Sequence, residues 1–375
     1  MLEQLDRFDE STELLMQSLA SHERVHGKDH EATLTVLNRL GGTFWHLDRV
    51  GDAHDTWSEA LERSERVLGP NHQRTIALVQ NVAMASRGIG DLQRAETMYR
   101  LAAERKRATF GPTHPRTLKG LRQFAAFLLA VDKRAEGVAL LREAIDLSEQ
   151  ATQRADAEPT VLNDYAWFLL TGPVDELHDP ARALELSARA VALTERKQPG
   201  FLDTLAHALH RTGDLEQAIH VEREALELPD SLHRYDLERT MVNLLTEADR
   251  PEDTERFLLQ HLEQRRAGRP EGDPTIGETL RWLGRHAIAQ RRFDEGASWL
   301  EQARNQFRSG LGQDNWRECR VLGDLGDSLL LQRRPDEAEA RFREGLACAE
   351  ARAGRRYDVI DEARQRLAPK TTAVR

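Results

Sequence analysis

Apolar side chains along this chain recur at intervals of three and four, in separate stretches with charged residues between them. Residues 33–47 and 53–67 show the pattern first, divided by a short polar turn. A period near 3.6 gathers the apolar positions on one face, so each stretch predicts an amphipathic helix. The short turn predicts that the two helices pair as a hairpin. Strand-like alternation with a period of two is absent from the sequence. The expected fold class is all-α.

The hairpin pattern itself repeats. Gly27, His30, Thr33 and Leu34 align without a gap, at a spacing of 42, with Gly69, His72, Thr75 and Ile76 and with Gly111, His114, Thr117 and Leu118. Small residues keep step at Gly41, Ala83 and Ala125, at Ala53, Ala95 and Gly137, and at Ala60, Ala102 and Ala144. Large side chains recur at Trp57, Tyr99 and Leu141. Two helices that cross closely need a small residue at the contact, because a bulky one forces the axes apart. One hairpin cannot bury its apolar face alone, and stacked neighbours complete the core.

Small residues at such crossings resemble the tetratricopeptide repeat. The 42-residue spacing with a Gly-x-x-His-Pro-x-Thr start is similar to the repeats of kinesin light chains and their bacterial relatives. Pro115 completes that motif in the third unit, and Glu31 and Gln73 take its place in the first two. The resemblance implies a right-handed α-solenoid of helix-turn-helix units. Residues 1–26 match only the second helix of a unit, with Leu2, Leu5, Phe8, Leu14 and Leu15 apolar. Three 42-residue units are expected over 27–153. Two more span 154–230, with a loop insertion at 171–180, and three occupy 231–353. A capping helix at 355–367 and a frayed tail are expected within 354–375.

Composition narrows the picture further. The 375 residues carry 53 basic and 63 acidic side chains, a net charge of −10, all of it in residues 1–230. The longest apolar run, 124–131, is far short of the ~20 residues of a membrane span. The N-terminal segment lacks a hydrophobic secretory core. Cys319 and Cys348 are the only cysteines, which excludes a disulfide framework or a multi-cysteine zinc site. They read as small core fillers, and a reducing cytoplasm is the simplest compartment.

Catalytic motifs are missing: no phosphate loop, no dinucleotide fingerprint, no His-Glu-x-x-His and no nucleophile elbow. Carboxylate pairs such as Glu252 and Asp253 fall at helix starts, where negative charge suits the helix dipole. His30, His72 and His114 recur at one loop position before a helix, which fits capping. His207 and His210 have a zinc-compatible spacing but no evident third ligand. Arg265-Arg266, Arg291-Arg292 and Arg333-Arg334 interleave with acids, as on a salt-bridged face. The expectation is therefore a protein that is not an enzyme and has no metal, no cofactor, and neither a nucleic-acid nor a membrane partner.

What remains is the surface lined by first helices, which the family resemblance implies is a concave peptide groove. Its positions map onto Asn38, Gln80, Arg122, Asn163, Asp203, Arg239 and Arg281, followed along the same face by Trp45, Arg87, Trp167, His207 and His210. Polar side chains in such a row hydrogen-bond a peptide, and Trp45 and Trp167 either anchor apolar side chains or plug gaps between units. Arg87 and Arg122 would steer an acidic ligand. The leading expectation is a non-enzymatic scaffold that binds a peptide or helix of a protein partner. The alternative is a regulatory C-terminal region of a larger bacterial signalling protein. Units four and five, with Leu162-Asn-Asp-Tyr-Ala-Trp-Phe-Leu-Leu-Thr, Asp179-Pro-Ala-Arg-Ala-Leu-Glu-Leu-Ser and Phe201-Leu-Asp-Thr-Leu-Ala, are similar to arrays that follow serine/threonine kinase domains, with the kinase itself lying outside this sequence.

Overall fold

The structure, a computed structural model, describes residues 8–154, 156–229, 234–313, 315–351 and 357–367. Among the described residues there are α-helices, a single 3-10 turn at Asp175–Leu177 and no strand. Helix α1 (Phe8–His26) precedes eight pairs. These are α2 (Glu31–His46) with α3 (Val50–Leu68), α4 (Gln73–Gly88) with α5 (Leu92–Phe110), and α6 (Pro115–Ala130) with α7 (Arg134–Thr152). Next come α8 (Pro159–Thr171) with α9 (Pro180–Leu193), α10 (Pro199–Arg211) with α11 (Leu215–Glu227), and α12 (Arg234–Glu247) with α13 (Pro251–Gly268). The last pairs are α14 (Pro274–Ala289) with α15 (Phe293–Leu311) and α16 (Trp316–Leu331) with α17 (Pro335–Ala351), followed by α18 (Tyr357–Leu367). Leu2, Leu5, the Phe8 side chain and the tail expected at 368–375 lie outside the described residues.

Local chemistry sets the helix ends. The Nδ1 atoms of His30, His72 and His114 accept hydrogen bonds from the backbone N–H of Ala32, Arg74 and Arg116, at 3.1, 3.3 and 3.1 Å. The recurring histidine is thus an N-cap, satisfying a donor that the first turn leaves unpaired. Asp273 and Asn315 occupy the same slot before α14 and α16 and cap with side-chain oxygens. Between paired helices the chain turns through a left-handed residue: Asp48, Gly90, Asp132, Gly213, Asp249, Arg291 or Arg333. Glycine adopts that conformation freely and aspartate tolerates it.

The crossings are as tight as the repeat pattern requires. Ala53, Ala60, Ala83, Ala95, Ala125 and Ala144 have no accessible surface. A Cβ on Gly41 would stand 2.5 Å from the Trp57 indole nitrogen, so only a hydrogen fits there. Trp57 is buried beneath it and donates to the Asn38 carbonyl at 3.0 Å. Fully buried Phe127, Leu141 and Leu162 continue the core, each contributing on the order of 1.5–3 kcal/mol.

The chain divides into two compact units, 1–237 and 238–375, with the division inside α12. In the first unit, polar contacts sort the helices into two layers. Asn38 on α2 pairs with Asn81 on α4, and Gln80 on α4 with Gln123 on α6, which places first helices side by side. Arg105 with Glu65 and Arg107 with Glu143 join neighbouring second helices. In the second unit Arg281 on α14 meets Asp324 on α16 at 2.5 Å. Helix α18 continues that layer: Arg366 reaches Asp327 at 3.0 Å and Glu362 meets Arg320 at 2.9 Å. Of the arginine pairs, Arg292 bridges to Glu255 and Glu295 and Arg334 to Glu337, whereas Arg265 is buried and pairs with buried Glu238 rather than lying on a solvated face.

One sequence expectation needs correction. Cys319 on α16 and Cys348 on α17 fill core space, but they also form a disulfide, with Cα atoms 5.5 Å apart. They stand 29 residues apart in sequence, and pairing of the two helices brings them into register. Spacing alone did not reveal the contact.

Enlarging a crossing residue tests the packing. Ala95→Leu is expected to cost roughly 1–3 kcal/mol through overpacking, read as a lower thermal midpoint. An unchanged midpoint would place Ala95 away from a crossing.

Candidate protein-interaction face

The first-helix layer of the first unit carries the candidate residues. On α2, Asn38 Oδ1 accepts from Asn81 Nδ2 at 2.9 Å. On α4, Gln80 donates to Gln123 and accepts from the Lys106 ammonium. Arg74 reaches back to Glu31 at 3.0 Å and to Thr35 at 2.8 Å, and Arg116 donates to Gln73 at 2.8 Å. Asn38–Asn81, Gln80–Gln123, Arg74–Glu31 and Arg116–Gln73 are each 43 residues apart, one repeat plus one step along the helix. They form a ladder that holds first helices together. Much of the hydrogen-bonding capacity that the sequence offered to a ligand at Asn38 and Gln80 is therefore engaged within the chain.

Lys106 comes from the second helix α5 and reaches this layer past Gly120, where a Cβ would lie 2.8 Å from its Cδ. Burial pushes the ammonium down to about 8, with repulsion from Lys119 and Arg116 adding to the effect.

The two tryptophans separate. Trp45 is partly buried 6.2 Å from Trp57, and a Cβ on Gly88 of the next pair would stand 3.1 Å from its ring. It packs between units. Trp167 on α8 is 40% exposed and meets His207 on α10 edge-on at 5.2 Å. His207 also lies 3.6 Å from Asp203. His210 is partly buried on the same helix.

Arg122 on α6 stands apart from the ladder. Its guanidinium lies 5.1 Å from the centre of the Phe168 ring. Burial lowers its pKa and the Asp164 charge opposes that shift. Arg87 is exposed at the end of α4. The Oδ1 atom of Asn163 on α8 is buried without a hydrogen-bond partner. Arg239 and Arg281 belong to the second unit, where Arg281 is engaged with Asp324.

One polar residue escaped the sequence reading. Glu222 on α11 occupies the register position of Trp57, Tyr99 and Leu141 and has no accessible surface. Neither carboxyl oxygen has a hydrogen-bond partner. Burial, reinforced by the Asp203 charge, pushes its pKa up to about 10, so the group is a neutral acid at pH 7. A charged residue type in a slot otherwise held by large apolar ones was the available signal. Among the described residues no group of three His, Cys, Asp or Glu side chains has metal-binding geometry.

This architecture agrees with the comparisons. A tetratricopeptide repeat family model matches residues 1–56 and 275–351, and a second tetratricopeptide repeat model matches 75–116. The chain is a tetratricopeptide repeat protein, an α-solenoid of the kind that serves as a protein-interaction scaffold. No curated protein matches its sequence. Among solved structures it is similar in fold to the apo form of the quorum sensor NprR from B. thuringiensis. That likeness has 13% identity and a TM-score of 0.50, over 91% of this chain and 83% of that one. A weaker likeness, to the tetratricopeptide protein YrrB with its unusual peptide-binding site, has 13% identity and a TM-score of 0.34. It covers 58% of this chain and 97% of YrrB.

Glu222 gives a pH-dependent test. Folded, it keeps its proton up to about pH 10. Unfolded, a glutamate releases it near ~4.3, so the unfolded state binds fewer protons between those values and stability falls as pH rises. Glu222→Gln is expected to flatten that fall and to raise stability at pH 8 by about 1–3 kcal/mol. Parallel melting curves for the variant and the natural protein from pH 5 to pH 9 would contradict the assignment.

Proposed function

We propose that this chain is a non-enzymatic scaffold that binds an extended peptide or a helix of a protein partner across its first-helix layer. The observation that carries this reading is the exposed indole of Trp167, braced by His207 on a layer whose neighbouring side chains are already ordered. A surface ordered before binding loses little conformational freedom on association. An exposed, braced aromatic is the residue type that dominates binding energy at interfaces. The 42-residue spacing and the capping histidines keep the kinesin-light-chain-like character within this proposal.

A second reading is favoured by α1. Leu14 is 56% exposed and Met16 is 54% exposed on that helix. Val25, 67% exposed, lies eleven residues on from Leu14 and on the same side of α1; that side suits an adjoining helix in a larger bacterial signalling protein, such as one bearing a serine/threonine kinase domain. The genomic frame upstream of Met1 tests it: an in-frame first helix supports the reading and a nearby stop codon excludes it.

Among the described residues no helix is long and apolar enough to cross a membrane. We propose a cytoplasmic location, where a glutathione-poised milieu would reduce the Cys319–Cys348 disulfide seen in the structure to two thiols. Rapid alkylation of intact cells followed by peptide mass spectrometry is expected to label both cysteines. Recovery of the disulfide unlabelled would place the chain in an oxidising compartment.

The scaffold reading is checked by affinity capture with the natural chain and with Trp167→Ala. Loss of the indole is expected to weaken capture of the principal partner by about tenfold or more, with a thermal midpoint close to that of the natural protein. Undiminished capture would move the binding surface elsewhere.

A further inference from the structure

The bond between Cys319 on α16 and Cys348 on α17 lies beneath α18. Both cysteines are buried, and they pack in one cluster with Leu322, Ala349 and two residues of α18, Val359 and Ile360. Ala363, one turn further along α18, is buried as well. Ion pairs hold the rim of this helix: Glu362 to Arg320 at 2.9 Å, Arg366 to Asp327 at 3.0 Å and Arg364 to Glu350 at 3.2 Å. Arg366 crosses α16 at Gly323, where a Cβ would stand 2.5 Å from its guanidinium. Helix α18 is therefore a cover seated on the sulfur pair.

The site accommodates both redox states. Cys319 Sγ lies 3.2 Å from the Asn315 carbonyl, an acceptor for the thiol proton once the bond is broken. Cys319 also borders a small cavity between α16, α17 and α18, together with Gly323, Phe342, Val359 and Ala363. Two thiols take more room than one disulfide, and a close-packed interior passes such a change on to its neighbours. A freed Cys319 side chain has the cavity to turn into, and the wall it then meets is Val359 and Ala363 of α18. That helix is the element least able to resist. With 11 residues it is shorter than an isolated helix needs to be stable in water, so its order depends on its seat.

We propose that Cys319 and Cys348 form a reversible redox switch that sets how firmly α18 is seated: the disulfide holds the cover down, and reduction loosens it. The oxidant is a low-molecular-weight disulfide such as oxidised glutathione. One protein thiolate attacks it, releasing one glutathione thiolate and leaving a mixed disulfide. The second protein thiolate attacks the protein sulfur of that bond and releases the other glutathione. The two protein thiols give up two electrons and two protons, and the oxidised glutathione takes both to become two thiols. A dithiol reductant runs the exchange backwards. Seating and bond formation share one coupling free energy, so unseating α18 makes the bond easier to reduce by the factor with which the bond steadies α18. In the cytoplasm proposed above the switch rests reduced and closes under oxidising stress.

Hydrogen–deuterium exchange of the full chain, equilibrated with oxidised glutathione or with dithiothreitol, tests this. Amides of residues 357–367 are expected to exchange at least about fivefold faster in the reduced protein, while those of α14 and α15 change little. The double variant Cys319→Ser, Cys348→Ser should show the faster exchange in both buffers. Ala363→Asp, which puts a charge into the seat, should unseat α18 and shift the thiol–disulfide equilibrium in glutathione buffers toward the thiols by at least about fivefold. Circular dichroism checks that the rest of the fold survives, and Arg366→Glu provides a second unseating variant that leaves the apolar contact intact. Equal exchange of α18 in the oxidised and reduced protein would make the disulfide a plain staple and overturn the switch. An unchanged equilibrium in a variant whose α18 exchanges freely would overturn it too, as would failure of the bond to form in fully oxidised glutathione.

Discussion

The close crossing of paired helices is the contact on which the rest of this protein depends. Residues such as Ala53, Ala95 and Ala144 are sealed from solvent because two backbones approach there with room for a methyl group and no more. Trp57 can lie flat beneath α2 because Gly41 has no side chain to meet it. Close approach brings the apolar stripes of each helix together, and stacking then propagates the core from pair to pair. The histidine caps and the left-handed turns set the ends of the helices whose crossings do this.

A second consequence follows from the regular spacing. Identical hairpins stacked at 42 residues bring side chains 43 apart into contact, and the chain fills these contacts with amides, arginines and acids. Asn38 with Asn81 and Arg281 with Asp324 are instances from the two units. Such a layer is stiff and largely self-satisfied. At the step from α6 to α8 Arg122 instead lies over the Phe168 ring, and Trp167 meets His207 edge-on.

The fold was legible in the sequence because close packing permits few residue types at a crossing, and the restriction recurs at fixed intervals. The capping histidines were legible for a similar reason, since a repeated residue just before a helix has one local task. The candidate surface was only partly so. Asn38, Gln80 and Arg122 look alike in a register alignment, yet the first two are engaged by neighbours 43 residues away and the third is not. Trp45 and Trp167 also look alike, and burial separates them. These differences arise from lateral contact between first helices, which one unit's sequence does not encode. Glu222 was hidden by the expectation that the slot of Trp57 and Tyr99 holds an apolar side chain. The Cys319–Cys348 bond depends on the pairing of α16 with α17, which spacing does not register.

Amide hydrogen–deuterium exchange resolved to short peptides would test the closely crossed stack most directly. The slowest exchange should fall on segments centred at Ala53, Ala95, Ala125 and Ala144, with faster exchange in the turns around Asp48, Gly90 and Asp132. Exchange at the alanine-centred segments as fast as in those turns would contradict it.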